Sequence, residues 1–107
     1  MRIQRRFEAT SRQIAELALY ISVPEMLWLL SEYLPSQRTI YRRLAMHGIV
    51  KPDQSRRDFE TSLIQCASVD MTDAEVKVAV EEEIQERLNC LVSQIEQEAN
   101  AYQLRRV

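Results

Sequence analysis

An all-α protein is what this sequence predicts, on three observations. One glycine and three prolines in 107 residues leave few turn-makers. The β-branched residues do not alternate in strand-like runs. Apolar residues recur at three- and four-residue spacing, behind three Ser/Thr-x-x-Gln/Glu capping boxes that mark helix starts. Five helices are expected, at 12–21, 24–33, 37–47, 55–68 and 73–103.

The first nine residues are basic, with Arg2, Arg5 and Arg6, and show no period. They read as a solvated terminus, or as an arm able to lie in a DNA minor groove. Thr10 to Gln13 forms the first capping box, and Ile14, Leu17, Ala18 and Ile21 follow on one helical face. Ser22 to Glu25 is a second box, with Pro24 in the first turn, where a missing amide hydrogen costs nothing. Leu27, Leu30 and Leu34 make the expected buried stripe of the second helix. Trp28 is expected in the core, the alternative being the exposed end of a partner surface.

Pro35 ends that helix, and Ser36 can cap the next with its hydroxyl. Ile40 and Leu44 then share one face. The opposite face carries Gln37, Arg38, Tyr41, Arg42 and His47, groups that contact phosphates and base edges. Gly48 can take the left-handed conformation that closes a helix, with Ile49 packing back over the last turn. The polar, proline-marked run Lys51 to Arg57 places a unit boundary there, dividing a DNA-binding unit at 1–52 from a helical region at 53–107.

Asp53 or Ser55 is the expected cap of a fourth helix with an apolar stripe of Phe59, Leu63, Ile64 and Ala67. Thr72 to Glu75 is the third capping box and opens a long helix. Its apolar positions are Val80, Ile84, Leu88, Leu91, Ile95, Ala99 and Tyr102. They form an eleven-residue period, which keeps a seam nearly straight. A helix of about 30 residues spans roughly 45 Å, more than a small domain covers. The expectation is therefore a homodimer through Ile84, Leu88, Leu91 and Ile95, the alternative being that the fourth helix folds back over the seam.

Net charge is −2, yet it is unevenly spread. Residues 1–57 balance at +5 and residues 58–107 at −7, which implies a basic face for an anion and an acidic half for something else. Cys66 and Cys90 read as buried, reduced thiols. A single histidine and no tight ligand spacing argue against a metal site, and the glutamates at 81–83 point to different sides of one helix. No cofactor and no catalytic centre are expected, since no glycine-rich phosphate loop or nucleophile with a base is present. The longest apolar run, around Met26 to Leu30, is too short to cross a bilayer, so a cytoplasmic protein without a membrane partner is expected.

The stretch LSEYLPSQRTIYRRLAMHGI, from Leu30 to Ile49, resembles the helix-turn-helix of the Fis-type and resolvase-like (homeodomain-like) superfamily. Ser36 matches the cap, Thr39 to Arg42 the start of the recognition helix, and Gly48-Ile49 its exit. The turn departs from the pattern, carrying Leu34-Pro35 where a glycine or small residue is usual. The resemblance implies an N-terminal three-helix unit that binds double-stranded DNA. Gln37, Arg38, Tyr41 and Arg42 would read bases, and Ser36, Thr39, Arg43 and Lys51 would meet phosphates. The leading expectation is a small dimeric transcriptional regulator of bacterial or phage type. Its alternatives are an oligomeric assembly or adaptor protein, such as a viral DNA-packaging recognition subunit, and a protein-binding helical module. The acidic C-terminal half is a further place for a protein partner.

Overall fold

The computed structural model describes residues 6–67 and 70–106, and the arginines at 2 and 5 fall outside that range. Five helices follow one another: α1 (Ser11–Tyr20), α2 (Val23–Leu30), α3 (Gln37–Met46), α4 (Pro52–Gln65) and α5 (Asp73–Arg106). Among the described residues there is no strand. A short 3-10 turn, Ser31–Tyr33, extends α2, so the second helix ends three residues before the expected point.

The helix starts follow from local chemistry. At α1, Gln13 N–H donates to Thr10 Oγ1 (3.1 Å) and Thr10 N–H donates to Gln13 Oε1 (2.9 Å). The same reciprocal pair joins Ser22 and Glu25 at α2, and Thr72 and Glu75 at α5. Each box satisfies two amides that the first turn would otherwise leave open. At α4 the expected caps are both wrong. Pro52 occupies the first turn, its fixed φ already helical, and Lys51 is the cap residue with no side-chain bond. The helix therefore starts before Asp53 and Ser55.

α1 is the hub, packing against each of the other four helices. Ile14, Leu17 and Ala18 are fully buried on it. The chain turns by 115° between α1 and the α2 segment, which brings Val23, Met26 and Leu30 onto the same core. Ile40 and Leu44 of α3 complete that side. From the other side come Leu88, Leu91 and Ile95 of α5, all buried in the same cluster. A boundary at residue 52 is thus not a boundary of packing, because one core draws on both halves of the chain.

This revises the expected dimer seam. Leu88, Leu91 and Ile95 are covered by their own chain, and Ile84 is half-buried. The helical period located the inward face of α5 correctly, with Val80 and Ala99 also buried, but its cover comes from the same chain, from α1 and α4. A second copy could reach these side chains only by displacing α1. α4 folds back against both α1 and α5, as the alternative held, although no α4 residue is fully buried. Tyr20 and Phe59 meet edge-on with ring centroids 5.8 Å apart, and Arg87 lies 5.7 Å over the Phe59 ring.

Two further expectations are corrected. Trp28 is 84% exposed, and Cys66 and Cys90 are both free and exposed. Trp28 lies off the buried face of α2, Cys66 just past the end of α4, and Cys90 at the edge of the α1–α5 contact. The molecule is long, 62 × 28 × 19 Å, with a radius of gyration of 16.3 Å. A compact chain of this length would have about 13 Å. The excess comes from α5, whose 34 residues run roughly 51 Å.

Candidate nucleic-acid interface

α3 is fixed at both ends by its sequence. Ser36 caps its start, its hydroxyl accepting from Thr39 N–H (3.3 Å) and donating to Thr39 Oγ1 (3.0 Å). At its exit Gly48 has φ 81°, a conformation that costs other residues more. Ile49 N–H donates to Leu44 O (2.8 Å) and Gly48 N–H to Ala45 O (3.0 Å). This pair of bonds is the Schellman closure, and Ile49 packs back on the core as its position implies.

Between those ends the helix has two unlike sides. Ile40 and Leu44 are wholly buried. Gln37, Arg38, Tyr41 and Arg42 are all exposed, and among the described residues none of their four side chains has a hydrogen-bond or ion-pair partner. Arg38 and Arg42 stand one turn apart, and Met46 continues the same line another turn on. Met46, also exposed, was not singled out, though its spacing of four from Arg42 carried the signal. His47, also exposed, caps the C-terminus with its N–H on the last carbonyls.

The four expected phosphate contacts are less alike. Lys51 is exposed, just after the Schellman closure. Arg43 is half-buried and lies 3.7 Å from the Glu8 carboxylate. The Ser36 and Thr39 hydroxyls bond to each other, which leaves acceptor lone pairs but commits the Ser36 proton. The structure brings Gln37, Arg38, Tyr41 and Arg42 to one open side and does not bring Arg43 there.

The connection from α2 to α3 runs from Ser31 to Ser36. It is longer than the turn of about three to four residues usual in a helix-turn-helix. The 3-10 turn and Pro35 fill the extra length. Ala9 N–H donates to Tyr33 O (2.8 Å), and the Phe7 ring packs edge-on to Tyr33, so this connection is held from the N-terminal side. Comparison with known protein families, characterised proteins and solved structures gave no significant match. Among the described residues no single helix is long and apolar enough to cross a membrane, and no cluster of side chains is arranged to hold a metal.

Proposed function

We propose that the protein is a sequence-specific double-stranded DNA-binding protein of regulatory type, with α2 and α3 acting as a helix-turn-helix and α3 as the reading helix. One observation carries this reading: a short, rigidly capped helix whose outer side is two arginines, a glutamine and a tyrosine without intramolecular partners. Arg43, Arg56 and Arg87 are paired here, and Arg38 and Arg42 are not. A guanidinium can bond guanine N7 and O6 together, which discriminates against other bases by about 1–3 kcal/mol. Lys51 and the amides opening α3 would meet the phosphates.

A dimer is not required by this reading, and a regulator that binds in pairs would use a surface other than Leu88, Leu91 and Ile95. The test is selection of duplexes from a random pool, followed by anisotropy titration of the winners. Arg42→Ala should weaken binding about tenfold or more and relax the selected sequence. Lys51→Ala should weaken all sequences alike and lower the salt slope by about one. If Arg38→Ala, Arg42→Ala together bind every duplex as wild type does, α3 is not the reader.

A further inference from the structure

The outer side of α2 ends in a corner that the DNA reading does not use. Trp28 stands there almost fully in water, with Leu29 partly exposed beside it. An indole buries more apolar area at interfaces than nearly any other side chain, and is enriched among the few residues that dominate them. Trp28 borders a cleft of about 300 Å³ lined also by Ser31, Glu32, Tyr33 and, from α5, Glu96. Glu32 and Glu96 are exposed, and among the described residues neither has a hydrogen-bond or ion-pair partner. No lysine or arginine lines the cleft.

The signs of charge select the occupant. A phosphate backbone or an anionic lipid surface would meet the carboxylates of Glu32 and Glu96 with no basic side chain in the cleft between them, so neither fits. A cation fits twice over. Its charge is answered by Glu32 and Glu96, and it can lie on the indole face, where the ring quadrupole attracts it. Leu29 and the remaining indole surface ask for an apolar neighbour. We propose that this corner docks a segment of a partner protein in which Lys or Arg stands next to an aliphatic or aromatic residue. None of these side chains is on α3, so the proposal stands or falls without the DNA reading.

Trp28 is the only tryptophan in the chain, and its emission therefore reports this corner alone. The experiment displays random dodecapeptides to the immobilised full chain, with counter-selection on the Trp28→Ala variant. Truncating so exposed a side chain leaves the fold intact, which far-ultraviolet circular dichroism verifies. Recovered peptides should pair Lys or Arg with apolar residues and shift Trp28 emission to the blue. They should bind about tenfold or more weakly to Trp28→Ala, and to Glu32→Gln, Glu96→Gln. Rising salt should weaken them further. Recovery of neutral or acidic peptides, or none that distinguishes Trp28→Ala, overturns the proposal. So does a Glu32→Gln, Glu96→Gln variant that binds as wild type does. A blue shift on raising the protein concentration alone would make the occupant a second copy, and one on phosphatidylserine vesicles would make it a membrane; either result also overturns the proposal.

Discussion

Helices α1 to α3 and the pair α4–α5 are both amphipathic and held very differently. Ile14, Leu17, Met26, Ile40 and Leu44 are all fully buried in the first region. α4 buries nothing fully, and α5 ahead of Leu88 buries only Val80. The difference lies in layers. Each of the first three helices has neighbours on two sides, whereas the outer end of the α4–α5 pair has only itself. Burial from two sides is what turns an apolar stripe into a core, and opening free energies within one protein follow that density of burial.

The severest way to break this contrast is to remove the helix of the second region that fills the core of the first. A chain ending at Gln65 loses Leu88, Leu91 and Ile95 from the core. At about 1.5–3 kcal/mol for each buried aliphatic side chain, the loss is roughly 5–9 kcal/mol. That is the size of a small domain's whole stability, about 5–15 kcal/mol. Such a chain should show little helical circular dichroism and no cooperative melting. A cooperative transition in it would mean that α1 to α4 fold without α5.

Single substitutions sharpen the contrast. Ile95→Ala should cost about 2–5 kcal/mol in denaturant titration, as fully buried aliphatic positions do. Leu63→Ala, at a half-buried position of α4, should cost under about half as much. The Ile95→Ala loss should also be independent of protein concentration, because that residue is buried within its own chain. A midpoint that moved with concentration would restore the intermolecular seam.

Capping boxes give a matched pair. Thr10→Ala and Thr72→Ala each remove a cap side chain, worth about 1 kcal/mol, and Thr72→Ala removes besides the hydroxyl bond to Glu75 Oε1 (2.9 Å). Alanine keeps the Thr10 backbone N–H that donates to Gln13 Oε1, so the tie from Gln13 Nε2 to Glu98 (2.6 Å) between α1 and α5 survives the substitution. Thr10→Ala should still lower the unfolding midpoint more than Thr72→Ala, because α1 packs against every other helix while the first turn of α5 buries no residue fully; Thr72→Ala should chiefly speed amide exchange in that turn.

The smallest effect is one of pH. Hydrogen bonds from the Ser22 hydroxyl and amide hold the Glu25 carboxyl below its ordinary 4.5. A carboxyl depressed by folding contributes stability above its unfolded value and loses it as pH falls through the folded one. Wild type should thus lose stability relative to Glu25→Gln below about pH 4.5, by a small margin because Glu25 is exposed. Equal acid melts for the two would show that the box carries no charge-dependent part.

What could be read in advance follows the range of the forces. Caps are local, and Thr10, Ser22, Ser36, Gly48 and Thr72 all do what their immediate neighbours imply. The open side of α3 was legible too, because Ile40 and Leu44 leave only one side to face water. Trp28 was not. Its helix reads Val-Pro-Glu-Met-Leu-Trp-Leu-Leu, so apolar throughout its second half that the expected stripe of Leu27, Leu30 and Leu34 competes with the one the structure buries, Met26 and Leu30, which leaves Leu27 and Leu34 half-buried. Only the packing of α1 and α3 against Met26 and Leu30 decides which residues are left out. The seam of α5 shows the same limit: a helical period names a face and is silent about which chain covers it.

The Phe7 and Tyr102 rings lie 5.9 Å apart, from opposite ends of the described chain. The backbone is therefore almost a closed ring. A short peptide joining its ends, with new ends opened at Asp70–Met71, should yield a circular permutant that still folds, since that turn adds nothing to the core. For the same reason, fluorophores attached before Phe7 and after Tyr102 would sit within energy-transfer range. Their signal would collapse when α5 comes away from the N-terminal segment, reporting on that contact without touching α3 or Trp28.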